Sequence, residues 1–460
     1  MLYLKRYYIQ LDINDSSKGA IILKVNINRA IHKKNEKSLG LLELIAIALG
    51  GMIGGGIFTV LGVSVAMVGV FTPLAFFIGG LLAMLAAYSY IKLGVYYLDE
   101  GATYSFFKKT FSSSNFSASL IGWWVIFGYI STLALYAYTF ASYAISAFDF
   151  ADNIWIRKSV AGSILLLFTL VNVWSVKGMG KIEDLMVYTK LIILIVISFV
   201  LINHSNTTIP MLLQNSGEIN ILSILIIASL TFVAFEGFQL VINAVNEMDN
   251  PKKNTPRAIY SAIVIAAFIY LIISIGAIIS IPFEDIIQNQ EYALASGADN
   301  VLGHWGTDLV ILGAILATSS AISGTLFGAS RQMSVIAHDG YFPSFLTKRK
   351  NNIPIYSIIM MSSLAFCLIL AGNLQVILEF SSVTFLLVSF LMAFANFKIY
   401  KKTNSSLILT IVAMIGLFAG TVLIFYYEAT TQVEQLYFIG GIYILLTFGA
   451  WFFSRFKKAS

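Results

Sequence analysis

The stretch Gly50-Gly51-Met52-Ile53-Gly54-Gly55-Gly56-Ile57-Phe58 decides how this chain is read. Five of the seven residues from Gly50 to Gly56 are glycine, inside an apolar run that starts near Leu39 and is long enough for a membrane helix. Each glycine costs an aqueous helix up to about 1 kcal/mol relative to alanine. In lipid, any backbone group so released needs another partner. The stretch therefore predicts a helix that breaks partway through its span. A break bares the N–H groups at the start of its second half, which favour a carboxylate through hydrogen bonds and the helix dipole. A second reading stands beside it, because Gly51 and Gly55 form a GxxxG pair that lets two helices pack closely.

The rest of the chain agrees with a membrane setting. Of 460 residues, 58% are hydrophobic and 11% charged, whereas a soluble domain carries roughly a quarter charged residues. A mean hydropathy of +0.83 leaves too little polar surface for a water-soluble exterior. The formal charge of +6 does not mark a nucleic-acid binder, because the cations alternate with membrane topology instead of sharing one soluble face. The single cysteine, Cys367, excludes an intrachain disulfide. Its place in the apolar run Ile358 to Leu370 suggests a small packing residue. Residues 1–38 hold eight Lys and Arg and no apolar stretch before a cleavage site, so they read as a basic cytoplasmic tail rather than a signal peptide.

Runs of about 20 apolar residues, the length that crosses the hydrocarbon core, start near Leu39, Thr72, Ser119, Ile156, Leu185, Ile221, Arg257, Asp308, Pro354, Leu374, Ser406 and Val433. Twelve spans are predicted. The seven prolines all fall at expected span ends or in loops, where a missing backbone donor costs least. With the N-terminus inside, 26 of the 29 Lys and Arg residues become cytoplasmic; Arg157 and Lys158 lie outside, and Lys190 is buried. That bias predicts cytoplasmic N- and C-termini in a multi-pass cytoplasmic-membrane protein.

Two further residues break the lipid rules. In the sixth span, Phe232-Val233-Ala234-Phe235-Glu236-Gly237-Phe238-Gln239 sets an acid beside a glycine. An intramembrane carboxylate is a functional candidate because its charged form is costly there. Glu236 is either ionised against an amine or a protonated structural bridge between helices. Interrupted helices at corresponding positions in two halves of a chain point to a transport site at the midplane. Lys190 follows Glu183 and Asp184 and precedes the apolar run Leu191 to Ile202. If its span starts near Lys181, it lies some 13 Å in, too deep for easy snorkelling. It is then a candidate proton carrier; with a later boundary it is a snorkelled lysine. Thr318-Ser319-Ser320 offers hydroxyls to Na⁺ as a weaker alternative, though such residues commonly bond their own helix. The tyrosines Tyr129, Tyr136, Tyr138 and Tyr143 of the third span either line a cavity or anchor span ends. The four histidines show no metal-ligand spacing, and no nucleophile elbow, phosphate loop or HExxH pattern occurs, so no enzyme site, cofactor or metal is expected.

These residues resemble the amino acid–polyamine–organocation superfamily of permeases. Gly51 to Phe58 is similar to its G-x-I-G-x-G-I-F signature. Phe232 to Phe238, continuing through Glu247, Asn250, Pro251, Lys253, Pro256 and Arg257, is similar to its sixth-span pattern. Gly328-Ala329-Ser330-Arg331 through Ala337-His338-Asp339-Gly340 to Pro343 is similar to a third motif. The resemblance implies an all-α LeuT-like fold of twelve transmembrane helices. A first five-helix repeat would cover 39–203 and an inverted second one 221–402, with discontinuous first and sixth helices and two further helices over 405–456. It implies a substrate carboxylate at Ile53, Gly54, Gly55 and Gly56, and an amino group at Val233, Ala234, Phe235, Glu236 and Gly237. Lys190 matches the fifth-helix lysine that replaces Na⁺ in proton-coupled members. The expected function is amino acid or amine uptake by H⁺ symport and alternating access. The alternatives are an exchanger, a Na⁺ symporter or a permease-like sensor. Glu236 departs from the apolar residue usual there, which suggests that it reads an extra amino group or relays a proton to Lys190.

Overall fold

The computed structural model describes residues 39–174, 179–205, 207–214, 220–350 and 353–456. The expected tail 1–38, Lys177, Lys457 and Lys458 lie outside them. Helices account for the described architecture, and β structure among these residues is limited to two isolated bridges. The first half comprises α1 (Leu41–Met52), α2 (Gly55–Val68), α3 (Thr72–Tyr97), α4 (Ala102–Thr110), α5 (Asn115–Ile145), α6 (Ile154–Trp174), α7 (Met179–Asn203) and α8 (Ile209–Gln214). Then come α9 (Ile221–Leu230), a 3₁₀ turn over Thr231–Phe235, α10 (Leu240–Asn243), α11 (Pro251–Ser280) and α12 (Phe283–Gln288). The chain continues as α13 (Ala293–His338), α14 (Ile355–Ala371), α15 (Leu374–Lys398), α16 (Leu407–Thr431) and α17 (Val433–Phe456). Among the described residues ten helical segments are long and apolar enough to cross a membrane, and two shorter apolar helices, Leu41–Met52 and Ile355–Ala371, accompany them.

Packing order follows burial. The central α5 touches α13, α15, α17 and α6; α13 also packs on α7, and α11 on α3 and α7. At the periphery α16 and α17 keep most of their apolar surface outward, with Ile408, Ile415, Ile444 and Leu445 exposed. Such a surface is stable only against hydrocarbon.

Two local expectations change. The helix expected from Arg257 begins at Pro251, so Pro256 lies inside α11. A proline one turn from a helix start removes only one early hydrogen bond, and Pro251 occupies the first position that proline favours. Cys367 is exposed rather than packed inside, as a weakly polar thiol can be on an outward face. Arg157 and Lys158, which the charge bias puts on the outer side, are 5% and 9% exposed at the start of α6. Arg157 pairs with Glu291 and donates to the Ala151 carbonyl at 2.6 Å, while Lys158 Nζ donates to the Leu370 carbonyl at 2.9 Å.

On α2, Gly62 lies directly against the backbone of Gln290, where a Cβ would come within 2.2 Å of the carbonyl oxygen. No side chain can relieve that contact, so one element must move. Gly62→Val is expected to lower the thermal unfolding midpoint of the purified protein, through overpacking of about 1–3 kcal/mol; an unchanged midpoint would show that the α2 to Gln290 contact is not held in solution.

Candidate functional site

The first interruption lies between α1 and α2. Ile53 (φ −85°, ψ 77°) and Gly54 (φ −113°, ψ −133°) leave the helical region before α2 resumes at Gly55. A helix that stops leaves its last four carbonyls without intrahelical partners. Here Leu49 O accepts from Ile53 N and Met52 O from Gly54 N, and side chains from three other helices reach the carbonyls of Gly50, Gly51, Met52 and Ile53. Lys190 Nζ, on α7, donates to Gly50 O at 3.0 Å and Ile53 O at 2.5 Å. Tyr136 Oη, on α5, approaches Gly51 O at 3.3 Å, and Tyr270 Oη, on α11, donates to Met52 O at 3.0 Å. The other side of the break is different: no side chain caps the N-terminus of α2, which begins at the buried Gly55, Gly56 and Ile57.

The second interruption follows α9. The 3₁₀ turn ends at Phe235, Glu236 is extended (φ −66°, ψ 142°), and Gly237 has φ +117°. That last conformation is one that side chains other than glycine's rarely adopt. Gly237 also touches the first break: a Cβ there would come within 2.5 Å of Gly51 C and 2.8 Å of Met52 N. A Cβ on Gly56 would likewise meet Ala234 Cα at 2.7 Å. The two readings of the glycine stretch therefore hold together, since the helix breaks and its glycines also permit close packing. Tyr270 joins the breaks, because the hydroxyl near Met52 O also lies 2.8 Å from Ala234 O.

Lys190 has no exposed surface. It sits eleven residues after Met179, about 16 Å along α7, and its ammonium turns inward, so it does not snorkel. Its third donor reaches Ser320 Oγ on α13 at 2.8 Å. Of the proposed sodium-binding hydroxyls, Ser320 is thus taken by Lys190, Thr318 donates to Ala314 O at 2.7 Å, and Ser319 is buried on the same helix. A cation placed at the carbonyl end of α1 also complements the helix dipole.

Glu236 is 4% exposed and accepts a short hydrogen bond from Gln239 Nε2. Gln239 Nε2 also lies 3.3 Å from Tyr129 Oη, and its Oε1 accepts from Gly237 N at 3.1 Å. No cation pairs with Glu236 among the described residues. Lys190 bonds to the first break and Glu236 to the second break's own residues, and no direct hydrogen bond joins the two.

The structure thus brings together Ile53, Gly54, Gly55 and Gly56 with Val233, Ala234, Phe235, Glu236 and Gly237, and sets Lys190 at one edge. Gly54 and Gly55 are covered by Tyr136 and Thr139, and Gly54 also by Ala321. Sequence reasoning missed Tyr270 as a bridge and left Tyr136 between two roles; Tyr129, Tyr136, Tyr138 and Tyr143 are all buried, so they do not anchor span ends. A hydroxyl amid the apolar residues of α11 was the available signal for Tyr270.

Apolar helices interrupted at a shared point, with their carbonyls held by side chains, are the arrangement expected of a multi-pass membrane transporter. The chain belongs to the amino acid permease family, which it matches over residues 39–449. It is 28% identical to an uncharacterised protein of Methanocaldococcus jannaschii, over 89% of this chain and 94% of that one. It is 27% identical to the inner membrane transport protein YbaT of Escherichia coli, over 76% and 81% of the two chains. It is 25% identical to the branched-chain amino acid permease BcaP of Bacillus subtilis, over 72% and 74%.

Because Lys190 and Tyr270 hold the carbonyls of the breaks, Lys190→Met and Tyr270→Phe should each lower the thermal midpoint. Each buried acceptor left unpaired costs about 1–3 kcal/mol. Lys190→Met strands two carbonyls and should be the more damaging; equal midpoints for both variants and the parent would contradict the assignment.

Proposed function

We propose that this protein takes up amino acids, or closely related amines, across the cytoplasmic membrane by alternating access coupled to H⁺. One observation carries the proposal: at the first break the carbonyl end is bonded by side chains while the amide end has no side-chain cap. Bare N–H groups at a helix start attract an anion, and the α-carboxylate is the anion common to amino acids. Gly54, Gly55 and Gly56, with Ile53 leading into them, form its seat in this reading. The amino group then faces the carbonyls of Val233, Ala234 and Phe235 beside Gly237, with Glu236 as a counter-charge for a substrate amine. Close approach of the two breaks at Gly51 and Gly237 supports a single site served by both. The similarity to YbaT, an inner membrane transport protein, and to BcaP, a branched-chain amino acid permease, supports the membrane and the substrate class.

Within this proposal the chain forms twelve transmembrane helices, two inverted five-helix repeats and two further helices, with both termini cytoplasmic. The position of the interruptions, in the first helix of each half, supports the repeat. Tyr136 and Thr139 cover the glycines in the conformation described, so transport requires α2 to move relative to α5.

Lys190 is the proposed coupling group. An ammonium has three donors, matching Gly50 O, Ile53 O and Ser320 Oγ; a neutral amine has two. Proton loss removes one of these three donated bonds and so changes how Lys190 is held between the break and Ser320. Sodium coupling would instead require Ser320 to release Lys190.

Uptake of a radiolabelled amino acid panel into proteoliposomes tests the whole reading. An inward proton gradient should drive accumulation and a Na⁺ gradient should not. Lys190→Ala should lose proton-driven uptake by at least about tenfold, the equivalent of 1.4 kcal/mol, with substrate binding retained. Glu236→Gln should alter the substrate ranking. Accumulation driven by Na⁺ alone, or trans-stimulation without pH dependence, would replace proton symport with the sodium or exchange mechanism.

A further inference from the structure

Away from the breaks, a second group of polar side chains lies between α15 and α16. Glu379 and Glu428 have no exposed surface, although each sits in an otherwise apolar helix. Glu379 Oε1 accepts from Gln375 Nε2 at 2.9 Å, but its Oε2 has no hydrogen-bond partner. Both oxygens of Glu428 are buried and unpartnered. The two carboxyls lie within each other's electrostatic reach. Gln375 Nε2 also lies 3.5 Å from Tyr427 Oη, and on α17 the buried Gln435 Oε1 is another oxygen without a partner.

Four buried, unpartnered oxygens, three from carboxyls and one from an amide, therefore lie at one end of the α15, α16 and α17 bundle. Burying an unpaired carboxylate costs far more than burying a neutral group, so the two carboxyls are either protonated or met by a positive charge. The neighbouring elements do not supply it. Within its bounds α16 carries no Lys or Arg, and neither do α5 and α9. The cations of α15 and α17 are Lys398 and Arg455, in their last turns and so at the opposite ends from Glu379 and Glu434. On α3 and α4 the described cations are Lys92, bonded to Asn404 O, Lys108, paired with Asp339, and Lys109, paired with Asp99. Lys158 of α6 reaches this end of the molecule but donates to Leu370 O and makes no ion pair among the described residues.

We propose that Glu379 and Glu428 form a binding site for a hard metal cation, Na⁺ or Ca²⁺, with Gln435 Oε1 and Tyr427 Oη as further oxygen donors. Oxygen-only ligands with two carboxylates suit such cations, and soft metals would want sulfur or imidazole. The site is shallow. Glu379 lies five residues, about 7.5 Å, from the start of α15, and Glu428 three residues, about 4.5 Å, from the end of α16. A cation can therefore enter from the aqueous face at which α15 starts and α16 ends. By joining two helices outside the substrate site, it would act on stability and not as the coupling ion, so the proposal stands apart from the proton-symport reading.

The test uses the full-length protein purified in detergent, with thermal unfolding followed in NaCl, KCl, CaCl₂ and choline chloride at matched ionic strength. Na⁺ or Ca²⁺ should raise the midpoint on the order of 5 °C over choline. Glu379→Gln and Glu428→Gln should abolish that rise, and Glu434→Gln, an exposed acid on α17, should keep it. A rise that survives in both glutamine variants places the ion elsewhere, at Ser320 for instance, and overturns the proposal. Equilibrium dialysis of the parent protein against ²²Na⁺ and ⁴⁵Ca²⁺ covers the case in which the variants fail to fold. Binding of one ion per chain is expected; no binding of either overturns the site and leaves the two carboxyls simply protonated.

Discussion

When a helix stops inside an apolar segment, its last carbonyls have no water to fall back on, and the rest of this fold depends on where their partners come from. At the end of α1 they come from Lys190, Tyr136 and Tyr270, on three separate helices. Each of those helices runs on past the break, so the donors stay in place while the broken segment ends among them. The break is therefore a built feature of the surrounding bundle. Its cost is spread over α5, α7 and α11, and its geometry is set by them.

The second constraint is distance. Gly51 and Gly237 bring two backbones so close that neither position admits a Cβ without displacement, and Tyr270 reaches a carbonyl on each side of that contact. Interior packing transmits strain instead of absorbing it, so a shift of α2 acts directly on the 3₁₀ turn after α9. The extended Glu236 and the positive φ of Gly237 are the points where the second segment can give. A link of this kind lets two interrupted helices behave as one unit.

Much of this was legible in the residues. Five glycines in an apolar run imply a break because no other residue lowers helix stability so evenly without removing a donor, and a lysine amid leucine and isoleucine implies burial or function. Partner identity was not legible. Tyr270 is one polar atom in α11, and nothing local says that its hydroxyl meets carbonyls of Met52 and Ala234, far away in the chain. Glu379 and Glu428 escaped for a related reason. Each stands singly near the end of an apolar helix, where an acid is ordinarily solvated, and only the packing of α15 on α16 encloses both. The partner of Arg157 was hidden for the same reason, since Glu291 comes from the segment after α12. The start of α11 moved because proline reads as a stop signal, whereas in a helix's first turns it is tolerated.

The difference between the two faces of the first break gives the site its direction. Side chains supply positive charge and hydroxyls to the carbonyl face, so an ammonium already occupies the place where the helix dipole is negative. Nothing comparable faces the amides of α2, where the dipole is positive. Under the proposed function, a ligand completing this arrangement brings an anionic group to the amide face and tolerates a cation nearby on the other. A zwitterion does both, and the carboxyl of Glu236 beside the second break then offers its amine a partner that Gln239 already holds in position. In the proposed site, substrate chemistry would thus follow from an imbalance that the helix break itself creates, with the side chains around it filling only one half.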